Sequence, residues 1–324
     1  MSRVTIKSIA NDLGISHMTV SRALSNSPNV QKETREAVQK RARELGYVKS
    51  AAAMVMRGDA PKIIGLLLPN IVNEFYARFA NDMATACDAH SFQLIIHLTG
   101  DDVATQQQAL DRLQEVQASS VVMVPAPHQT GQDAPIAGTM RVIELIRQSS
   151  NTSQTSGILV DDGPAIRAAV KHLASAGHTK IAYIGANREL SSGRTRLGAF
   201  LTGADEARID VTPDMIHTGT PSFAMGHAQA KAILEAGCAT ALLCGGFEIS
   251  NGALSAVIDE TKHSRKKIAF IGYGDPSFYA WIGNGVSTIQ VPVTELANCA
   301  VDLIVNHDQP QFVPTSFPAE LIIR

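Results

Sequence analysis

Val4-Thr5-Ile6-Lys7-Ser8-Ile9-Ala10-Asn11-Asp12-Leu13-Gly14-Ile15-Ser16-His17-Met18-Thr19-Val20-Ser21-Arg22-Ala23-Leu24 opens the chain with two amphipathic segments and a break between them. Ile6, Ile9, Ala10 and Leu13 recur at helical spacing and predict a helix buried along one face. Gly14 then supplies the left-handed conformation that ends a helix. Ser16 is placed to cap a second helix, which turns Val20, Ala23 and Leu24 inward. His17, Met18, Ser21, Arg22 and Ser25 stay outward, three and four residues apart on one face. A helix–turn–helix with a donor-rich outer face suits the DNA major groove. The competing reading of such short helices is a three-helix domain that packs on another surface.

Charge favours the first reading. Residues 1–60 hold ten Lys and Arg against five Asp and Glu, a net of +5. The 324-residue chain carries −2, so by subtraction residues 61–324 carry −7. A basic head on an acidic body is an electrostatic footprint for phosphate backbones. At 45% apolar residues the chain can bury two cores beyond a small head. It has no run of about 18 uncharged apolar residues, and Met1-Ser2-Arg3 does not open a signal peptide. Cys87, Cys238, Cys244 and Cys299 are scattered without a Cys-x-x-Cys pair, which implies reduced thiols, no metal site and a cytoplasmic protein.

Gly58-Asp59-Ala60-Pro61-Lys62 reads as a joint. Beyond it, short β-branched or apolar runs alternate with helix-length stretches. The first series has strands at Ile63–Leu68, Phe92–Leu98 and Ser120–Val124, with helices at Phe75–Ala89 and Thr105–Val116. The second has strands at Ile158–Val160, Ile181–Gly185, Ala241–Cys244 and Ile268–Ile271. Its helices lie at Ala165–Ser175, Thr195–Glu206 and Ala224–Glu235. Such alternation predicts parallel sheets with right-handed crossovers, hence two doubly wound α/β lobes. Ligands of open α/β sheets bind at the carboxyl ends of the strands.

Thr5-Ile6-Lys7-Ser8-Ile9-Ala10, Ser16 to Leu24, Thr34-Arg35-Glu36 and Glu44-Leu45-Gly46-Tyr47 resemble the lactose/galactose-repressor (LacI/GalR) family. The resemblance runs on through Ala51-Ala52-Ala53, Ile64 to Pro69, Val160-Asp161-Asp162, His172-Leu173, Gly177 to Gly185, Arg196 to Phe200 and Ile271-Gly272-Tyr273. It implies an all-α helix–turn–helix headpiece with a hinge segment over residues 1–60, then a two-lobed, periplasmic-binding-protein-like core. One lobe spans 61–161 plus 292–318 and the other 162–291 plus 319–324. The resemblance also implies a homodimer on a pseudo-palindromic operator and a small-molecule effector in the cleft between hinging lobes.

In that frame His17 and Met18 fall where the family's operator preference varies, and Arg22 is the base-contact candidate. Thr5, Thr19, Ser21, Asn29 and Thr34 match positions that touch phosphates. Tyr47, Lys49, Ala53 and Met56 fall on the family's hinge segment. That segment usually reads Pro-Asn where Lys49-Ser50 stands here, and Met56 stands where a leucine wedges into the minor groove.

Asn73, Phe75 and Arg196 match effector contacts, and Arg147, Phe247 and Asp275 join them where the pattern departs. Sugar-binding members often read Asn-Asp where this chain has Gly246-Phe247, and Gly-Tyr/Phe-Asp-Asp where it has Gly272-Tyr273-Gly274-Asp275. Pro221 replaces a common aromatic, and Arg147 a common aspartate. Hydroxyl partners are lost, and an aromatic face and a second cation are gained. This favours an organic acid, an aromatic acid or a phosphorylated metabolite over a neutral sugar.

Three other functions share parts of this pattern. A transport solute-binding protein would share the lobes but carry a signal peptide and no helix–turn–helix. An enzyme would show a motif, and the chain has no Gly-x-Ser-x-Gly, His-Glu-x-x-His or phosphate-binding Gly-x-x-x-x-Gly-Lys-Ser/Thr, so neither catalysis nor a cofactor is expected. An activator or corepressor-dependent regulator would use the same lobes.

Overall fold

The computed structural model describes residues 4–47, 62–127, 137–149, 156–263, 268–306 and 314–324. Lys49, Ala53 and Met56 lie outside them. The chain divides into two compact units, Met1–Pro61 and Lys62–Arg324.

The first unit holds three helices, α1 (Ile6–Leu13), α2 (His17–Leu24) and α3 (Lys32–Glu44). Thr5 caps α1 by accepting from the Ser8 backbone, with the Ser8 side chain answering as a capping box. Gly14 ends α1 with φ 63°, and Ser16 caps α2 by accepting from Thr19 N–H. Ile9, Ala10, Val20, Ala23, Val30, Val38 and Ala42 form a small closed core.

In the second unit, six strands form one sheet in the order β11-β5-β4-β3-β1-β2. These are β1 (Ile63–Leu68), β2 (Gln93–Leu98), β3 (Ser120–Met123), β4 (Arg141–Leu145), β5 (Ser156–Asp161) and β11 (Thr315–Pro318). All its pairings are parallel. The second sheet runs β12-β10-β9-β8-β6-β7. It comprises β6 (Ile181–Ala186), β7 (Ile216–Gly219), β8 (Ala241–Gly245), β9 (Ala269–Tyr273), β10 (Ser287–Gln290) and β12 (Glu320–Ile322). Only β12 pairs antiparallel. Between β5 and β6, and again after β10 and β11, the chain passes from one sheet to the other.

Strand period sorts side chains to both faces of each sheet. Leu66 and Leu68 pack with α4 (Glu74–Ala89) and α10 (Val293–Val305), while Leu67 points oppositely at α5 (Val103–Glu115). In the second sheet Tyr183 and Leu243 face α6 (Gly163–Ser175) and α7 (Ser191–Glu206). Ala182, Ile184 and Cys244 face α8 (Phe223–Ala236) and α9 (Phe247–His263). Each sheet is thus covered on both faces, which explains its long apolar runs. No helix among the described residues is long and apolar enough to cross a membrane.

Candidate functional site

In the headpiece, the core-facing residues of α2 leave a face that carries His17, Met18, Arg22 and Ser25, all exposed. Met18 is 52% exposed. The headpiece cations divide into two groups. Arg41 is tied to Asp12 at 2.6 Å and to Glu44 at 3.0 Å, and Arg35 donates to the Ser27 and Val30 carbonyls. The side chains of Lys7, Arg22, Lys32, Lys40 and Arg43 make no ion pair among the described residues, so their charge faces solvent. Thr5 and Thr19 lie at the starts of α1 and α2, where the Thr19 hydroxyl bonds Ser16 Oγ at 2.9 Å. Ser21 and Thr34 are half-buried, Asn29 is exposed, and Tyr47 packs its ring against the headpiece core.

The second site lies between the two sheets, at the carboxyl ends of their strands. From the first sheet's side come Asn70, Asn73, Phe75, Tyr76, Asp101, Ile146 and Arg147; from the second come Ser192, Arg196, Gly245, Gly246, Phe247 and Glu248. Three helices begin here: α4 behind its cap Asn73, α7 at Ser191, and α9 at Phe247. Asn73 accepts from Phe75 N–H, the α7 start has no side-chain cap, and the positive dipole ends of all three helices border one cavity.

Both predicted arginines reach it. Arg147 is 6% exposed and donates from one Nη to Asp101 at 2.5 Å. Its other guanidinium nitrogens have no partner among the described residues. Burial pulls its pKa down, but Tyr76 and Asp101 outweigh that, so it remains a firm cation. Ile146, just before it, has φ 54°. A β-branched residue adopts that conformation only under constraint, at a cost of about 1–3 kcal/mol. Ile146 and Arg147 both line the cleft.

Arg196 donates through Nε to Asp162 at 2.6 Å and through Nη1 to the Gly245 carbonyl at 3.2 Å. Its guanidinium sits 4.1 Å from the Tyr273 ring centroid, and the Tyr273 hydroxyl also donates to Asp162, at 2.5 Å. Burial pushes the Tyr273 pKa well up, so the phenol stays a neutral donor. Burial likewise raises the Glu248 carboxyl.

Phe247 spans the cleft. Its ring lies 5.0 Å from Phe75 of the opposite side and 5.4 Å from Tyr273. The backbone of Gln148 adds a bond to Ser191 Oγ at 2.9 Å. The space left is about 60 Å³, enough for a few waters and far below a metabolite-sized pocket.

Of the six predicted effector contacts, Asn73, Phe75, Arg147, Arg196 and Phe247 meet at this cavity. Asp275 does not line it. Arg324 holds Asp275 through two bonds of 2.8 Å, and Asp275 lines a smaller hollow that Phe75 and Phe247 also border. Asp101, Asp162, Tyr273 and Glu248 escaped the sequence reading, because the fold rather than any local spacing brings them to the arginines.

A helix–turn–helix unit joined to a two-sheet core with a cleft at its strand ends defines a DNA-binding regulator of periplasmic-binding-protein-like build. Comparison with known proteins agrees. The family described as "Bacterial regulatory proteins, lacI family" matches residues 5–50, and "Periplasmic binding protein-like domain" matches residues 170–324. The ribose operon repressor of Haemophilus influenzae is 28% identical over 302 residues, covering 93% of this chain and 91% of that protein. The HTH-type transcriptional repressor PurR of the same species is 24% identical, covering 99% and 97%. Among solved structures, a Lac repressor dimer bound to operator and the anti-inducer ONPF superposes with TM-score 0.84 at 21% identity, covering 100% of this chain and 98% of that one. A CelR–cellobiose complex gives 0.72 at 19% identity, covering 99% of each chain. These structural likenesses establish the fold. Residues 5–50 thus carry a lacI-family DNA-binding domain and residues 170–324 a periplasmic-binding-protein-like domain, and the relatives the chain resembles are transcriptional repressors.

Proposed function

We propose that this repressor binds a pseudo-palindromic operator as a homodimer and is controlled by a small anionic metabolite held between its lobes. On the DNA side, the exposed α2 face supports Arg22, His17 and Met18 as base readers. Thr5, Thr19, Ser21, Asn29 and Thr34 serve as phosphate contacts, with Tyr47, Lys49, Ala53 and Met56 contributing from the hinge segment. Two headpieces on a two-fold operator make the dimer necessary, and the Lac repressor relative is named as a dimer on its operator.

The lobes are 61–161 with 292–318, and 162–291 with 319–324. One observation carries the choice of an anion. Arg147 is buried with an unpartnered guanidinium edge, in a cavity onto which three helix N-termini open. Asn73, Phe75 and Arg196 complete the ligand's surroundings, Phe247 meets the ligand at the cavity edge where its ring now lies, and Asp275 is left to its bond with Arg324. Organic acids, aromatic acids and phosphorylated metabolites share the required chemistry. A neutral polyol is the second reading, favoured by Asp101 and Asp162, which already neutralise the two arginines.

Thermal melting of the full-length protein with each class decides between them, because a ligand bound only by the folded state raises the melting temperature. Acids or sugar phosphates are expected to give the larger shifts, and Arg147→Ala to remove them. Larger shifts with a neutral hexose than with any acid would reverse the choice.

A further inference from the structure

The anion site just described has a neighbour that is already filled, and resting on that reading we infer that Phe247 is a built-in occupant of a seat for the ligand's planar ring. Phe247 is the first residue of α9 and only half-buried, yet its ring sits between two rings that are fully enclosed. Phe75 is 1% exposed and Tyr273 0%. The contact is tilted with Phe75 and edge-on with Tyr273, the latter an arrangement that aromatic rings prefer.

The backbone opposite is shaped for the ring. Gly274 has φ +84°, and a Cβ there would lie 2.2 Å from the Phe247 ring. Any other residue at 274 would both strain the turn and evict the ring. The seat is therefore made by Phe75, Tyr273 and Gly274, and Phe247 fills it from one side.

The seat adjoins the cations. Tyr273 carries the Arg196 guanidinium on its face, and Phe75 and Phe247 line the same cavity as Arg147. A planar ring bearing a carboxylate would place its ring where Phe247 now lies and its charge on the arginine edges. Replacing one ring by another keeps the bridge between Phe75 and Tyr273, so the exchange leaves the lobes joined. The ligand class is an aromatic carboxylic acid, and Phe247 competes with it as an intramolecular stand-in.

Benzoate, acetate and benzyl alcohol as probes separate the parts of this inference, using calorimetric titration of full-length wild type, Phe247→Ala and Phe247→Leu. Removing a group that blocks the competent state most of the time raises apparent affinity by the inverse of the open fraction, about tenfold for a seat free one-tenth of the time. Benzoate is expected to gain affinity by that order in Phe247→Ala and by less in Phe247→Leu, with acetate unchanged and benzyl alcohol gaining less than benzoate. Phe247→Leu alone decides the matter if the alanine variant fails to fold. Equal gains for benzoate and acetate, or no gain, would overturn the ring seat while leaving the anion site standing. A benzyl alcohol gain equal to benzoate's would reduce the seat to an ordinary apolar hole. Failure of every protein to bind any acid would overturn the anion site itself.

Discussion

Arg147 and Arg22 show how differently single residues announce themselves. Arg22 was legible as an exposed cation because helical spacing alone puts it outside, and the fold leaves it exposed and without an ion pair among the described residues. Arg22→Ala should weaken operator binding by about 1–3 kcal/mol while changing affinity for random duplex much less; equal losses on both in a gel-shift titration would end its role as a reader. Arg147 and Arg196 were legible as cations, but their state was not. Each is held by an aspartate, 46 and 34 residues away in sequence, respectively. For Arg196 the consequence is large, because Asp162 is 3% exposed and also accepts from Tyr273. Asp162→Asn leaves a buried guanidinium uncompensated, which should cost about 3–5 kcal/mol in urea unfolding. A loss under about 1 kcal/mol would mean that solvent reaches the pair after all, as it does for exposed ion pairs.

At the scale of elements, helices with one buried stripe and strands with long apolar runs were readable, and a helix buried on several sides was not. Helix α9 illustrates the failure. Ile249, Ala253, Ala256 and Val257 face one cluster, while Leu254 turns to another with Tyr279 and Val286. No single apolar stripe survives, so periodicity has little to detect. The four-residue β11 and three-residue β12 are too short for alternation to register, and Thr315-Ser316 is exposed. Helix α9 also packs against α8 through glycines whose need is invisible in sequence. A Cβ on Gly226 would lie 2.1 Å from the Ile249 carbonyl oxygen, and one on Gly252 2.0 Å from that of Phe223. Both obstacles are backbone, so the helices must separate to admit a methyl group. Gly252→Ala is expected to destabilise the core by about 1–3 kcal/mol as overpacking, although alanine is the better helix former. A neutral or raised melting temperature would show that the helices part at little cost.

For the whole molecule, the separation of charge was the most durable sequence signal, because it depends on counting rather than on geometry. A net +5 in residues 1–60 against −7 in the rest gives the two compact units opposite dispositions toward polyanions. The cleft uses cations too, but it holds them buried and paired, where dissolved salt screens them weakly. The two binding events should therefore part company in a salt titration. A headpiece pair that contacts six to ten phosphates loses roughly 10³–10⁵ in affinity between 50 and 200 mM salt through counterion release. An acid bound beside Arg147 and Arg196 involves no condensed counterions, so its affinity should change far less over the same range. Fluorescence anisotropy on an operator duplex and calorimetry with the best-binding acid, in matched buffers, measure both slopes. Parallel slopes would place the ligand on the exposed cations of the headpiece, and the cleft would lose its claim to the effector.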